Sequence, residues 1–78
     1  MDKLENAIRE AFIDTGRLNQ KGRIKITDKY IIGTSDWADV YVDVYAPRCK
    51  KPFGFWKLKI NIVKNMIYWD KSEYNRLK

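Results

Sequence analysis

Asp39 and Asp43 come nearest in this sequence to a catalytic pair. They lie four positions apart in segment 37–45, whose alternating pattern is typical of a β-strand, so both carboxylates are expected on one strand face. At a rise of about 3.3 Å per residue, the two side chains stand roughly 13 Å apart. Glycoside hydrolases hold their two carboxyl groups about 5 to 9.5 Å apart. The spacing therefore disfavours paired-carboxylate catalysis.

Other reactive side chains are scarce. The chain has no histidine and one cysteine, Cys49, which excludes Ser-His-Asp and Cys-His catalysis, a four-ligand zinc site and an internal disulfide in this chain. Its four glycines are dispersed and match no phosphate-binding loop. With no histidine to activate it, Cys49 is interpreted as an incidental thiol. We therefore expect a non-enzymatic protein that holds neither a metal nor a cofactor.

Positive charge and aromatic rings are the more informative features. Sixteen Lys and Arg against ten Asp and Glu give 78 residues a net charge of +6, and residues 47–59 contain five cations and no acid. Cationic surfaces with stacking rings commonly hold single-stranded nucleic acid. The candidate contact residues are Arg23, Lys25, Trp37, Tyr41, Tyr45, Arg48, Lys50, Lys51, Phe55, Lys57 and Lys59. The leading prediction is a small binding module that contacts nucleic acid through a basic and aromatic sheet face and the loop 47–52.

Two other interpretations stay open. One is a protein interaction module for an acidic partner, such as a small inhibitor or adaptor encoded by a phage or mobile element, because Trp, Tyr and Arg often carry interface energy. The other requires no ligand: Asp39 and Asp43, opposite Lys57 and Lys59, would form ordinary cross-strand ion pairs. This interpretation is favoured for the sheet face. For loop 48–51, phosphate contact and a merely solvated loop are evenly balanced. No motif for sequence-specific readout is present.

The elements that must position these residues begin with an amphipathic helix. Leu4, Ile8 and Phe12 share one face of residues 2–14 at helical spacing, and Gly16 suits a left-handed helix stop. The polar run 16–22 is bracketed by glycines, which predicts a loop.

Four strands are predicted after this loop. Residues 24–32 alternate with their apolar side chains at even positions, and Asp28 interrupts the pattern as a β-bulge would. Residues 37–46 place Ala and Val at even positions. The third strand, 53–63, turns Trp56, Leu58, Ile60 and Ile62 toward the helix and Phe55, Lys57, Lys59 and Asn61 toward water. With odd positions in water, replacing Trp37 and Tyr41 by Ala should weaken binding with little change in Tm.

The C-terminal part completes the predicted fold. Lys64-Asn65 is a plausible hairpin turn before a fourth strand at 66–69, where Trp69, like Trp56, is assigned to the core or its rim. Residues 70–73 have the form of a capping box that opens a helical turn carrying Tyr74 and Leu77. The expected fold is one α+β domain, 1–78, with an N-terminal amphipathic helix packed on a four-stranded antiparallel meander. In element order alone it resembles cystatin-like domains, which implies no function.

The chain also carries signals about its surroundings. The N-terminus is charged and lacks the apolar run of a secretory signal, and no stretch is long and apolar enough to span a membrane. We therefore expect a cytoplasmic protein without a membrane partner. An open first or last strand would allow a weak homodimer, the alternative being a monomer.

Overall fold

The computed structural model describes residues 3–34, 36–69 and 73–77. One helix is followed by five strands, which form one antiparallel sheet in the order β1-β2-β3-β4-β5. The elements are α1 (Lys3–Asp14), β1 (Arg23–Ile31), β2 (Trp37–Tyr45), β3 (Gly54–Asn61), β4 (Met66–Tyr68) and β5 (Tyr74–Arg76). The α+β class and the antiparallel meander are confirmed. The predicted number of four strands is wrong by one.

The helix α1 ends where its sequence predicts. Gly16 has φ 75°, the N–H of Arg17 donates to the carbonyl of Phe12 over 2.8 Å, and the N–H of Gly16 donates to the carbonyl of Ile13 over 3.0 Å. These two bonds make a Schellman motif, which needs a residue in the left-handed region that glycine adopts without steric cost. The loop that follows contributes Leu18 to the core, although its polar sequence gave no sign of this.

The core lies between α1 and one face of the sheet. Alternation in β2 buries every even-numbered side chain from Ala38 to Val44, as expected, but the odd-numbered ones, Tyr45 included, are half-buried rather than exposed. The remaining core side chains come from α1, the other strands and the residue after β5: Ile8, Ala11, Phe12, Ile24, Leu58, Ile60, Ile67 and Leu77. Full burial of each large aliphatic or aromatic side chain contributes about 1.5 to 3 kcal/mol. Trp56 and Trp69 close the rim edge-on to Phe12, with ring centroids 5.6 and 5.0 Å away.

A bulge in β1 changes the direction of its side chains. The register shifts between Ile26 and Asp28, so Ile24 lies opposite Val44 but Tyr30 lies opposite Asp39. An extra residue on one strand reverses the alternation beyond it. The bulge predicted at Asp28 is confirmed, while the expectation that Tyr30 shares the helix-facing side with Ile24 is wrong.

The end of β3 also departs from simple alternation. The strand ends at Asn61, whose side chain is only 4% exposed and accepts hydrogen bonds from the N–H groups of Val63 (3.1 Å) and Lys64 (2.8 Å). An asparagine that bonds backbone groups two and three residues later turns the chain away from the sheet. Asn61 is therefore not a water-facing residue, and Ile62, predicted to face the helix, is exposed.

The C-terminal segment forms a strand rather than a helical turn. Residues 70–72 of the predicted capping box lie outside the described residues, but Tyr74–Arg76 pairs with β4 as β5. The N–H of Leu77 donates to the carbonyl of Asn65 over 2.7 Å, and Asn65 has φ 58°, which confirms the predicted turn there. Pairing satisfies the backbone groups that the open edge of β4 presents. Within the described ranges, no helix is both long and apolar enough to cross a membrane.

Candidate ligand-binding surface

The sheet face opposite α1, called here the outer face, carries the candidate contact residues of the strands. Directly opposed residues of neighbouring strands point to the same face, so the strand registers define rows across it. The rows are Arg23–Tyr45, Lys25–Asp43–Phe55, Asp28–Tyr41–Lys57, Tyr30–Asp39–Lys59–Tyr68–Tyr74, and Trp37–Asn61–Met66–Arg76. They divide the candidates into two groups that lie toward opposite ends of the face.

The first group is called the basic end. It comprises Arg23, Lys25, Tyr45 and Phe55 on the strands, and Arg48, Lys50, Lys51 and Phe53 in the loop between β2 and β3. All five of its cations are exposed to water. Its carboxylate neighbours are Asp43, which lies between Lys25 and Phe55 in one row, and Glu5 of α1.

A tight turn presents Arg48 at the tip of this loop. The N–H of Cys49 donates to the carbonyl of Ala46 over 3.2 Å, and Arg48 has φ 64°. Proline at the second position and positive φ at the third are the features of a type II turn, where glycine is preferred. An L-residue in this conformation costs about 1 to 2 kcal/mol. Arg48 thus places a positive charge at the tip of the loop although its backbone conformation is unfavourable for an L-residue.

Arg23 ties the loop to the edge strand β1. Its guanidinium donates to the carbonyl of Cys49 and lies 5.1 Å from the centroid of the Tyr45 ring. Beside it an open groove of ≈ 530 Å³ runs between α1 and β1, bordered by Arg23, Lys25, Lys50 and Tyr45, with Glu5 on the helix side. Three cations around one groove favour an anionic ligand.

Two phenylalanines flank Gly54 at the start of β3 and are the most exposed large rings of the basic end. Phe55 is 84% exposed and Phe53 is 62% exposed. Phe55 was predicted as a contact residue, whereas Phe53 was interpreted only as the first residue of a strand. The signal that could have found it is its position two residues before Phe55 and directly after the basic loop 47–52.

The second group is called the aromatic end, and its rings contact one another. It comprises Tyr30, Trp37, Asp39, Tyr41, Lys57, Lys59, Tyr68 and Tyr74. Trp37 meets Tyr68 edge-on at 4.8 Å between centroids, Tyr68 stacks on Tyr74 at 5.3 Å, and Tyr30 meets Tyr41 edge-on at 6.0 Å. Trp37 and Tyr41 were predicted to be exposed, but both are half-buried.

The contributions of Tyr30, Tyr68 and Tyr74 could not be read from the sequence. Tyr30 reaches this face through the bulge, and the two others reach it through the pairing of β4 and β5. Ring pairs of this kind are worth about 0.5 to 1.5 kcal/mol beyond the area they bury. The aromatic end is therefore a packed surface that stabilises the sheet.

Charges at the aromatic end are largely compensated. Asp39 lies opposite Lys59, and its Oδ2 is 3.8 Å from the Nζ of Lys57, which also lies 5.9 Å from the Tyr41 ring. The expected ion pair of Asp39 is confirmed with Lys57, whereas Lys59 is shown only as its neighbour in the strand register. The same expectation is wrong for Asp43, which lies opposite Lys25 and Phe55 instead.

Tyr30 has the one resolved pKa shift among the described residues of this surface. Its hydroxyl donates to Oδ2 of Asp28, and this hydrogen bond, with the negative charge of the same carboxylate, raises the pKa of Tyr30 above its ordinary value of 10.0. A phenol held protonated cannot serve as a base near neutral pH.

Comparisons with known proteins give no match. No family model, no curated protein and no solved structure matches the chain. Within residues 3–34, 36–69 and 73–77, no three His, Cys, Asp or Glu side chains come together as a metal site would require. The chemistry that the outer face offers consists of exposed cations, a few carboxylates and four exposed rings, those of Tyr30, Phe53, Phe55 and Tyr74.

Proposed function

We propose that this protein is a small non-enzymatic module that binds nucleic acid through its basic end. The observation that carries the proposal is the grouping of five exposed cations around the exposed Phe53 and Phe55 rings. Cations displace counterions from phosphates, and rings offer a surface on which bases stack. The predicted contact residues Trp37, Tyr41, Lys57 and Lys59 lie at the aromatic end and contribute less, because their rings and charges already have neighbours in the sheet.

The charge of Arg48 supports a phosphate contact at the loop. Its backbone conformation is one that glycine adopts without cost, yet the residue present is an arginine, whose guanidinium suits phosphate oxygens. Lys50 and Lys51 follow within three positions. The loop therefore concentrates charge where the chain projects from the sheet.

The salt dependence of the binding constant tests this proposal directly. If four of the five cations each neutralise one phosphate of a single strand, log K falls with log[salt] at a slope of about −3. Affinity should then drop about 50-fold between 50 and 200 mM salt. Fluorescence anisotropy with a labelled oligonucleotide gives both quantities, and flat, negligible binding over this range would contradict the proposal.

Charge-neutralising variants locate the surface. Lys50→Gln with Lys51→Gln should lower the slope by about 1.4 units without changing Tm, because both side chains are exposed. Lys29→Gln with Lys64→Gln is the matched control, since it removes the same charge from exposed positions outside the basic end. Equal losses in the two double variants would show that only net charge matters and that the basic end is not the site.

A second candidate is a protein interaction module for an acidic partner. The exposure of Phe53 and Phe55 favours it, because apolar rings with cations around them also suit a protein interface. Nuclease treatment separates the two functions. Material retained from a cell lysate should be lost on nuclease treatment if the ligand is nucleic acid, and a stoichiometric protein should remain if the partner is a protein.

A further inference from the structure

The Phe53 and Phe55 rings stand apart from the other aromatic side chains of the outer face. Among the described residues neither ring stacks on another, whereas Trp37, Tyr41 and Tyr68 each contact a neighbouring ring. Exposed rings of this size leave apolar area in water that a ligand could cover. A base that stacks there would meet a ring that no other ring of the described residues covers.

The exposed rings discriminate between forms of nucleic acid. Phe55 lies on β3, and Phe53 precedes this strand at a bend of the chain, where its N–H donates to the carbonyl of Val44 over 2.9 Å. Bases in one strand of a duplex are only about 3.4 Å apart, and their faces are covered by their neighbours. A duplex would present its phosphates to the rings. A single strand can instead offer unstacked bases to each ring.

The groove beside β1 supplies a route for the phosphates. Lys25 and Phe55 lie in the same row, separated by two strand spacings or about 10 Å. Lys50 borders the groove together with Arg23 and Lys25, so cations continue from the loop to the edge of the sheet. With rings on the β3 side and cations on the β1 side, this end of the sheet suits a single nucleic-acid strand that runs across the β-strands.

The backbone of β1 argues against a peptide in the same groove. An added peptide strand would need the outward N–H and C=O groups of the edge. The N–H of Ile26 already donates to Oε2 of Glu5 over 3.0 Å, and the carbonyl of Gly22 accepts from Nε of Arg9 over 2.8 Å. Side chains that occupy edge groups hinder strand addition, which also disfavours a homodimer through β1.

We infer that the basic end binds single-stranded nucleic acid in preference to duplex, with bases stacked on Phe53 and Phe55 and the phosphates directed by Lys50 into the groove at Arg23 and Lys25. This inference rests on the proposed function and names the ligand form of the same site. It assigns Phe55 a direct contact with bases, which electrostatic binding alone would not require.

This assignment can be tested by fluorescence anisotropy titrations. The probes are a labelled oligothymidylate of about 12 nucleotides and a duplex of equal length, and unlabelled inorganic polyphosphate serves as competitor. The single strand should bind at least about 5-fold more tightly than the duplex. Phe55→Ala should weaken single-strand binding about 5- to 150-fold and leave duplex and polyphosphate binding unchanged. Phe55→Trp should retain single-strand affinity, because a larger ring stacks at least as well.

Val63→Ala is the control for loss of exposed apolar area, since Val63 is exposed and lies in the turn after β3. Equal affinities for single strand and duplex, or equal losses for both in Phe55→Ala, would overturn the inference and leave the proposed function intact. Absence of salt-dependent binding to any oligonucleotide would overturn both, as would binding only to vesicles that contain anionic lipid.

Discussion

The two ends of the outer face contain the same kinds of residue in opposite states. At the aromatic end, Trp37, Tyr68 and Tyr74 contact one another in sequence across the sheet. At the basic end, Phe53 and Phe55 project into water. The difference arises from cross-strand neighbours: Trp37 and Tyr68, which contact each other, are half-buried, and Tyr74, which stacks on Tyr68, is 54% exposed, whereas Phe55 lies opposite Asp43 and is 84% exposed. An aromatic residue on a sheet face is therefore a binding candidate only when its neighbours leave it uncovered.

Charge follows the same division. Lys57 and Lys59 lie beside Asp39, so the aromatic end carries little net charge. The basic end has five cations and one strand carboxylate, that of Asp43. Trp37 and Tyr45 mark the two ends of β2 and lie about 26 Å apart. This separation is about three times the screening length of roughly 8 Å at physiological ionic strength. Lys57, however, lies two residues from Phe55 on β3, about 6.6 Å away and within this length, so a phosphate beside Phe55 is also attracted by Lys57.

The largest effect that would test this comparison is the loss of a packed ring. Trp37→Ala should destabilise the fold by about 2 kcal/mol, because it removes a half-buried ring that contacts Tyr68 at 4.8 Å. In a chain of this size Tm should fall by about 10 °C. Thermal denaturation followed by circular dichroism measures this, and oligonucleotide affinity below Tm should be unchanged.

Phe55→Ala provides the opposite result, with Tm nearly unchanged and single-strand affinity reduced, since its ring is 84% exposed. This pattern replaces the expectation from alternation alone, in which loss of Trp37 and Tyr41 weakens binding and spares Tm. A Trp37→Ala variant with native Tm and weakened binding would restore that expectation and remove the division between the two ends.

Local signals account for the parts of the fold that the sequence predicts correctly. Helical spacing and Gly16 define α1, strict alternation defines β2, and Asp28 marks the bulge. Each depends on residues within a few positions of one another. The strand β5 does not: Tyr74–Arg76 is three residues long, and its conformation is determined by the open edge of β4 rather than by its own pattern.

The candidate site likewise has features that the local sequence predicts and features that depend on strand pairing. Three of its five cations, Arg48, Lys50 and Lys51, could be found from composition, since they lie in residues 47–59, which contain no acid. The sequence does not predict which rings are exposed. Their exposure depends on the strand registers, which bring Tyr68 to Trp37 and Tyr30 to Tyr41. Phe53 was missed because its exposure follows from where β3 begins, one residue later than predicted.

A smaller effect comes from Arg48, where charge and backbone strain can be separated. Arg48→Gly removes strain of about 1 to 2 kcal/mol but adds about 0.5 to 1 kcal/mol of chain entropy to the unfolded state, so little change in Tm is expected. Single-strand affinity should fall a few-fold, and the salt slope should decrease by about 0.7 for one lost phosphate contact. Arg48→Lys, which keeps the charge, is the matched variant and should retain the slope. An unchanged slope in Arg48→Gly would remove Arg48 from the site.

The smallest effect concerns the ionisation of Tyr30. The hydrogen bond from its hydroxyl to Asp28, and the charge of that carboxylate, raise its pKa above 10.0, while in the unfolded chain the phenol titrates near about 10. Folding therefore favours the protonated phenol. The stabilisation is fully present below about pH 10 and is lost as pH rises through the folded-state pKa.

Urea denaturation over this range should show that the free energy of unfolding depends less on pH in Tyr30→Phe than in the unaltered protein. Because Tyr30 lies at the aromatic end, Tyr30→Phe should leave oligonucleotide affinity at neutral pH unchanged, and a loss of affinity there would show that the two ends act as one surface.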